Sequence, residues 1–393
     1  ALVEECLDAG FGCDAMSIAH NSNLSNGREF SDAADAASYA ELRARVEPLV
    51  EVFQHKGSME CREGFSLAAE SSDPACAFED VWPADAVPCV DEEGSGGMRL
   101  QGCLSKRDYV RNVLLEGLQI EQEYGINPMR LGVLASTDTH NGTAGFVEED
   151  DFLGHVGVVD DTPMRRLGAG DTATHDTIIN NPGGLVAVWA TERSRDAIFD
   201  ALRRREVYGT SGPRIALRLF AGFDLPEGLC EAEDAVAQAD AKGVPMGAML
   251  PAQSEGKPRF WVWAQADEGT VEHPGLPLQR LELVKGWLDA SGSLHERVIL
   301  LAGDPDNGAS VELDSCTPVG DGAQSLCASW TDDEWTPQQR AFYYARVLEN
   351  PSCRWSQWEC LRLAPEERPE NCENGIVSSV IQERAWSSPI WID

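Results

Sequence analysis

The stretch Leu131-Gly-Val-Leu-Ala-Ser-Thr-Asp-Thr-His140 joins a short apolar run directly to a polar turn. Two earlier stretches repeat this pattern, Ala15-Met-Ser-Ile-Ala19 before His20 and Leu49-Val-Glu-Val-Phe53 before a polar segment. Residues 107–124 lie between the second run and the third, and their apolar positions recur at helical spacing. Strands that alternate with helices are typical of parallel pairing. The first half of the chain therefore predicts an α/β architecture.

The second half of the chain, from Arg214 onward, has a different pattern. Apolar and aromatic runs are separated by Gly, Pro and Asp turns, and they lie at residues 215–220, 259–266, 280–287 and 297–301. Short strands with frequent turns are typical of an antiparallel β-sandwich. The change of pattern predicts a boundary that divides the chain into domains at 1–213 and 214–393.

The twelve cysteines favour disulfides. None belongs to a C-x-x-C pair and their number is even, which is typical of an exported protein in an oxidising compartment; reduced, buried thiols are the alternative. Four of the cysteines lie in the Gly-, Ser- and Pro-rich segment 61–106. This segment predicts a disulfide-stapled insertion, either a lid or a decoration. Cys6 with Cys13 and Cys353 with Cys360 are close enough in sequence to pair.

The charge of the chain argues against nucleic acid as a partner. Asp and Glu outnumber Lys and Arg by 66 to 31, which gives a formal net charge of -35, and such a surface repels polyanions. Solubility or salty surroundings explain the acidity without any partner.

The sequence contains no G-x-S-x-G elbow, P-loop or dinucleotide fingerprint. It also contains no apolar run of about 18 residues, so no transmembrane segment is predicted.

Asp138 and His140 are the first candidate site residues. They are two positions apart, so their side chains point the same way in an extended segment. In α/β barrels the loops at the carboxyl ends of the strands build the active site. A carboxylate and an imidazole that converge there suit Zn, Mn or Fe. A structural histidine in a turn is the alternative.

Further candidates lie in the segments after the second and third apolar runs. Glu60 is a candidate ligand or a bridge between two metal ions, with a solvated loop acid as the alternative. Lys56 is a candidate for neutralising an anionic substrate group, with an ordinary exposed lysine as the alternative. His55 is a further candidate site residue, with simple capping of the strand end as the alternative. His155 and His175 are candidates for lining the same site.

Long motifs in this sequence resemble a known bacterial family. They are Ile18-Ala-His-Asn-Ser-Asn-Leu-Ser-Asn-Gly27, Glu51-Val-Phe-Gln-His-Lys-Gly-Ser-Met-Glu60, Ala135-Ser-Thr-Asp-Thr-His-Asn-Gly142, Arg204-Arg-Glu-Val-Tyr-Gly-Thr-Ser-Gly-Pro-Arg214 and Gln382-Glu-Arg-Ala-Trp-Ser-Ser-Pro-Ile-Trp391. The family is catalogued as domain of unknown function 3604. It is similar to the PHP (polymerase and histidinol phosphatase) metal-dependent phosphoesterases. The resemblance runs from about residue 5 to the C-terminus.

The resemblance implies a distorted (β/α)7 barrel over residues 1–213, followed by the β-sandwich, with the C-terminal tail packed on the barrel. It also implies a cluster of two or three divalent metal ions. The ligands that this sequence offers to the cluster are His20, Glu60, Asp138 and His140. The other ligands of the PHP pattern come from an H-x-H on the first strand, which this sequence lacks, so we expect a further segment before residue 1 and an incomplete barrel here.

The implied activity is hydrolysis of a small phosphoester or other oxyanion ester by metal-activated water. Lys56, Asn21 and Asn141 would bind the anionic substrate or support the metal ligands. One alternative is a metal hydrolase of another ester, lactone or amide class. Another is a non-catalytic exported protein that binds glycan or envelope material. Export to the periplasm or the cell exterior, including attachment through a preceding segment, is expected in either case.

Overall fold

The computed structural model describes residues 2–10, 12–30, 36–69, 71–90, 102–168 and 178–393. The chain begins with a π-helical segment at Leu2–Leu7. The α-helices are α1 (Ala36–Val46), α2 (Val110–Tyr124), α3 (Pro163–Arg166), α4 (Arg195–Arg203), α5 (Ala235–Lys242) and α6 (Trp355–Arg362). The strands are β1 (Ile18–Ala19), β2 (Leu49–Gln54), β3 (Gly57–Ser58), β4 (Gly132–Ala135), β5 (Leu185–Val188), β6 (Val207–Thr210), β7 (Ala216–Gly222), β8 (Val244–Pro245), β9 (Met249–Leu250), β10 (Arg259–Gln265), β11 (Leu278–Leu288), β12 (Leu294–Gly303), β13 (Ser310–Glu312), β14 (Thr317–Val319), β15 (Ser325–Thr331), β16 (Arg340–Glu349), β17 (Ser352–Cys353), β18 (Val380–Ile381), β19 (Arg384–Ser387) and β20 (Ile390–Ile392).

A small mixed sheet contains strands from the three apolar runs at residues 15–19, 49–53 and 131–135. β2 is its centre, and it pairs in parallel with β1 and β4 and antiparallel with β3. Every residue of β2 is buried. Helix α2 packs its apolar face, including Val113 and Leu114, into the same core as β2 and β4. Because β1, β2 and β4 are parallel, their carboxyl ends meet at one edge of this sheet.

A large, mostly antiparallel sheet joins the two halves of the chain. Its strand order is β12-β11-β16-β19-β6-β5, with β20 beside β16 and β9 beside β20. The C-terminal strand β19 lies between β16 and β6. The hydrogen-bonded ladder therefore runs across the boundary predicted at residues 213 and 214, and the division into two domains stays a prediction.

A third sheet covers the other face of the large sheet. It is antiparallel, with the strand order β15-β10-β7-β8. The alternating apolar residues of β10, such as Phe260 and Val262, share one core with Leu281, Leu283 and Tyr343 of the large sheet. Two antiparallel sheets therefore pack face to face in the second half of the chain, as alternating buried positions require.

The expected (β/α)7 barrel is wrong. In the described part of the chain the sheets form no closed barrel, and most of the structure consists of strands in several sheets. The parallel series stops at β4, because β5 pairs antiparallel with β6, and β6 pairs next with β19. β6 instead packs across β4, where Gly209 leaves room: a Cβ atom at this position would lie 2.9 Å from the Ala135 nitrogen.

All twelve cysteines lie in the described residues and form six disulfides, as the sequence predicts. Of the two pairings that closeness in sequence allows, Cys6–Cys13 forms and Cys353–Cys360 does not. Cys353 pairs instead with Cys316, which precedes it in the chain, and Cys360 pairs with Cys372. Cys61–Cys76 and Cys89–Cys103 staple the segment 61–106, of which residues 70 and 91–101 lie outside the described part.

Six disulfides are typical of proteins from oxidising compartments, and they are consistent with export. Among the described residues, the helices are too short or too polar to cross a membrane.

Candidate functional site

The carboxyl ends of the parallel strands bring the candidate side chains together. His20 follows β1, Gln54 ends β2 and precedes His55 and Lys56, and Asp138 lies three residues beyond β4. Asp138 has a positive φ of 48°. A residue other than glycine rarely adopts this conformation, and such strain occurs often at functional sites.

The Asp138 carboxylate is the centre of a polar group that we call the Asp138 cluster. Its members are His20, Glu51, Gln54, His55, Lys56, Asp138 and His155. Asp138 Oδ2 accepts a hydrogen bond from the Lys56 ammonium and one of 3.1 Å from Gln54 Nε2. The same oxygen lies 3.3 Å from His55 Nε2 and 3.7 Å from His20 Nε2. Burial by itself would raise the pKa of Asp138, but His55 and Lys56 outweigh it and hold the pKa well below its usual range.

The buried Glu51 carboxylate orients the His20 ring. Its Nδ1 atom lies 2.7 Å from Glu51 Oε2, and the other Glu51 oxygen accepts a hydrogen bond from the Ser136 hydroxyl. The hydrogen bond with Glu51 is the main cause that raises the pKa of His20. With Nδ1 engaged by Glu51, His20 presents Nε2 toward Asp138. A carboxylate behind an imidazole is the usual arrangement around metal-binding histidines.

His55 and His155 are two buried imidazoles whose ring centroids lie 4.2 Å apart. Burial is the main cause that lowers their pKa values, to about 3 for His55 and about 4 for His155. His155 Nε2 lies 2.6 Å from the Asn181 carbonyl oxygen, so this nitrogen carries the proton and Nδ1 keeps its lone pair. Nδ1 of each ring lacks a hydrogen-bond partner in the described structure.

His140 lies beside this cluster but is exposed. Its ring centroid is 6.0 Å from that of His55, and its backbone nitrogen donates to the His155 carbonyl oxygen at 2.8 Å. The structure therefore brings His140 near the buried imidazoles, without a direct contact between its ring and the Asp138 carboxylate.

The two asparagines differ in their freedom to act on a substrate. Asn21 has a φ of 60°, and its side-chain oxygen accepts a hydrogen bond from Gln54, so it lies at the edge of the Asp138 cluster. The Asn141 side chain organises its own turn: Oδ1 accepts from Thr139 and Thr143, and Nδ2 donates to the Gly154 carbonyl oxygen at 2.8 Å. These contacts occupy the Asn141 amide, so its catalytic role stays a prediction without a contact to support it.

Glu60 lies in a different environment, a buried group that we call the Glu60 network. Its members are Glu60, Asp73, Arg111, Glu282, Tyr344, Arg346 and Trp386. Glu60 Oε1 accepts from Arg111 at 2.6 Å, Tyr344 at 2.7 Å and Arg346 at 3.0 Å. Its other oxygen accepts from Trp386 Nε1 at 2.6 Å. Both oxygens are thus engaged by donors, and the structure does not bring Glu60 together with His20, Asp138 and His140.

Sequence reasoning missed Glu51 and Gln54 as members of the cluster. The signal was present, because both are polar residues inside an otherwise apolar strand, and both are buried. A buried polar group needs a partner, so their positions pointed to a polar site at this strand. His155 joins the cluster as a candidate, and His175 lies outside the described residues.

The donors of the Asp138 cluster suit a divalent metal ion. Donor atoms that share one ion at about 2.1 Å lie roughly 3 to 4 Å from each other, and Asp138 Oδ2 has this separation from both His20 Nε2 and His55 Nε2. However, Asp138, His20 and His55 are not one compact donor group. Among the described residues, the groups of three whose donor atoms all lie within 4.8 Å of one another consist of other residues. Lys56 already places a positive charge against Asp138, as a bound cation would.

Comparison with known proteins identifies the family but not the activity. No curated protein and no solved structure matches the chain. One family model, described as "Protein of unknown function (DUF3604)", matches residues 2–393. Because this match covers nearly the whole sequence, the chain belongs to the DUF3604 family.

Proposed function

We propose that this protein is a metal-dependent hydrolase that acts on a small anionic ester, most simply a phosphoester. One observation carries the proposal: the Asp138 carboxylate faces two imidazole nitrogens at 3.3 Å and 3.7 Å at the carboxyl edge of a parallel strand group. A carboxylate with imidazoles is the donor set that Zn, Mn and Fe prefer. The resemblance of the strand-end motifs to PHP phosphoesterases, which is an expectation from the sequence, favours the same class of reaction.

In this proposal His20, His55 and Asp138 hold metal, and His140 adds a ligand from its exposed position. A divalent ion held there lowers the pKa of a bound water and stabilises charge on the transferring group. Glu51 is a positioning residue, because it reaches the site only through His20. Glu60 is left out of the ligand set, because four donors already engage its oxygens.

Lys56 pairs with Asp138 in the structure, and the proposal also assigns it to the anionic substrate. Its ammonium contacts Asp138 directly and lies 2.9 Å from His55 Nε2, so it neutralises the carboxylate when metal is absent. Entry of a metal ion would displace this ammonium by charge repulsion. The displaced lysine would then be free to pair with a phosphate or another anionic group of the substrate.

The proposal is tested by metal content and hydrolysis together. The whole chain is stripped with a chelator and dialysed against Zn²⁺ or Mn²⁺. Bound metal is then counted, and phosphomonoesters, phosphodiesters, carboxylic esters, lactones and amides are assayed. Asp138→Asn should bind less metal than the wild type and lose turnover. The matched control is Asp289→Asn, because Asp289 also pairs with a histidine, His295 at 2.8 Å, but on the surface of a hairpin.

The results separate the alternatives. Metal binding with cleavage of phosphoesters supports the proposal, and cleavage of only lactones or amides points to another class of metal hydrolase. A wild-type chain that binds no metal, or an Asp138→Asn variant that binds as much as the wild type, would overturn it.

A groove in the antiparallel half favours a second candidate function, the binding of glycans. This groove has a volume of about 670 Å³, and its lining includes Trp189, Trp261 and Trp263 together with Asp234 and Asp240. Aromatic faces with nearby polar groups suit sugar rings. Trp263→Ala should abolish binding on a glycan array and leave Asp138-dependent hydrolysis unchanged. An unchanged array signal would exclude the groove as a glycan site.

A further inference from the structure

A second group of possible metal ligands lies away from the Asp138 cluster, at a cavity of about 410 Å³. We call it the acidic cavity. The segment before α3, the loop between β10 and β11 and the ends of β16 and β19 contribute to its walls. Seven of its lining residues are Asp or Glu, and Arg214 is the one Lys or Arg among the described residues that line it. Such a lining attracts cations by its net charge.

Three side chains of this lining form a compact donor group, the mouth triad of Glu148, Asp150 and His273. One ligand atom from each lies within 4.8 Å of the other two. His273 Nδ1 is 2.7 Å from Asp150 Oδ1. Each of the three side chains is between about a quarter and a third exposed, so an ion can reach them from solvent. One imidazole with two carboxylates is a nitrogen and oxygen donor set that suits Zn²⁺ or Mn²⁺.

Hydrogen bonds from neighbouring segments already hold both parts of the triad in place. Glu149, between the two carboxylate ligands, accepts a hydrogen bond from the Trp355 nitrogen at the start of α6. Arg362, at the end of the same helix, donates to the Asp150 carbonyl oxygen. His273 is presented by a closed loop in which its carbonyl oxygen accepts from the Thr270 nitrogen at 2.7 Å. Ligands fixed in this way need little reorganisation when an ion binds.

The inner wall of the cavity provides independent evidence for a ligand. Glu383 and Glu349 both line the cavity, and only 4% and 1% of their surfaces are exposed. Oε1 of each side chain lacks a hydrogen-bond partner in the described structure. Buried polar atoms are normally paired, so each orphan needs an explanation. A cation with its bound water in the cavity would supply the missing donors.

The orphaned oxygen of Glu383 is close to the strand end that borders the triad segment. A Cβ atom at Gly212 would lie 3.9 Å from Glu383 Oε1 and 3.2 Å from the Val147 carbonyl oxygen. Val147 precedes the triad member Glu148 in the chain. A side chain at Gly212 would therefore lie between the buried carboxyl group and the triad segment. Arg214 Nη1 lies 3.5 Å from Glu148 Oε1.

We propose that Glu148, Asp150 and His273 bind a divalent transition-metal ion at the mouth of the acidic cavity, with Glu383 and Glu349 facing the ion's bound water. This site is independent of the one proposed at Asp138, because the two sites share no residue.

The test counts Zn²⁺ bound to the whole chain in a background that silences the Asp138 cluster. Asp138→Asn is compared with the same chain carrying Asp150→Asn and His273→Ala in addition. Equilibrium dialysis with elemental analysis gives the bound equivalents, and circular dichroism confirms the fold. The matched control is Glu272→Gln, because this acidic residue lines the same cavity outside the triad. His273→Gln, a single change in an exposed loop, serves if the double change disturbs folding.

The triad variant should lose one equivalent of Zn²⁺, and Glu272→Gln should lose none. Glu383→Gln should weaken binding roughly tenfold, as second-layer changes at metal sites do. An unchanged number of equivalents in the triad variant would overturn the proposal. Equal losses from the triad variant and from Glu272→Gln would also overturn it, because they would show diffuse attraction by an acidic surface. Neither result depends on whether the Asp138 cluster is catalytic.

Discussion

The Glu60 network and the acidic cavity both bury carboxyl groups, yet the pKa values in the two regions move in opposite directions. Burial by itself would raise the pKa of Glu60, but Arg346 and Arg111 together lower it. Burial raises the pKa of Glu383 to about 8; the Ser211 hydroxyl offsets part of this effect, and Glu349 adds to it. The two glutamates are almost equally buried, at 3% and 4% exposed. Because burial is nearly equal, the two arginines beside Glu60 explain why the pKa of Glu60 is lowered while that of Glu383 is raised.

This comparison separates structural carboxylates from candidate binding carboxylates. Glu60 is saturated by donors that cross from one half of the chain to the other, so its role is to hold the halves together. Glu383 keeps an oxygen without a partner beside a cavity. Asp138 is intermediate, because Lys56 neutralises it at a partly open site.

Glu60→Gln should lower the free energy of unfolding by about 3 to 5 kcal/mol, because it leaves two buried guanidinium groups with too little negative charge. Urea unfolding with the disulfides intact measures the change. Asp138→Asn is the control and should shift stability far less, because Asp138 is partly exposed. If both variants lost the same stability, the distinction between a structural and a binding carboxylate would fail.

Glu383→Gln should stabilise the protein at alkaline pH. The folded pKa of about 8 exceeds the usual 4.5, so the folded state binds the proton more tightly than the unfolded state. The wild type therefore loses stability as pH rises between these two values, and the loss is constant above the higher one. Glutamine does not titrate, so the variant should be more stable by roughly 2 to 4 kcal/mol near pH 9 and about equal near pH 4.

Unfolding of Glu383→Gln and the wild type in a chelating buffer, across this pH range, measures the difference. Ser211 can still donate to the glutamine oxygen, so the hydrogen bond to this hydroxyl is preserved. A stability difference that does not change with pH would show that the pKa of Glu383 is not raised in the folded protein.

Glu51→Gln should weaken metal binding at the Asp138 cluster about 10- to 100-fold, because Glu51 orients His20 and makes it a better donor. Competition with a chromogenic chelator measures the affinity. Glu47→Gln is a suitable control, because Glu47 is also buried and paired, but with Arg43 on helix α1. Equal affinities for Glu51→Gln and the wild type would remove His20 from the ligand set.

Lys56→Met should strengthen metal binding by about tenfold, which corresponds to about 1.4 kcal/mol, because it removes the ammonium that competes for Asp138. The same variant should raise KM for an anionic substrate and change kcat less. Calorimetric titration and steady-state kinetics measure the two effects. Weaker metal binding by Lys56→Met would show that the lysine supports the donors rather than competing with an ion.

Local structure was largely predictable from the sequence. The helical pattern at 107–124 corresponds to α2 at Val110–Tyr124, and the run at 259–266 corresponds to β10 at Arg259–Gln265. Both follow from the periodicity of apolar residues, which depends on neighbours in the chain. The parallel pairing of β2 with β4 also follows from the alternation of strands and helices.

The arrangement of the sheets was not predictable in this way. A barrel requires β5 to continue the parallel series, but β5 pairs antiparallel with β6, and β6 pairs with β19 from the end of the chain. Such pairings depend on contacts between distant segments, which local periodicity does not encode. The same limit explains why closeness in sequence did not decide the partner of Cys353, which meets Cys316 across the fold.

Sequence patterns predicted several of the longer strands, the oxidised state of the cysteines, and the placement of His20, Lys56 and Asp138 at strand ends. Tertiary structure alone decided which carboxylates meet imidazoles and which meet guanidinium groups. Glu60 lies between arginines from both halves of the chain, and His273 meets Asp150 across 123 residues of sequence. The physical reason is that the charge of a buried group depends on its neighbours in space.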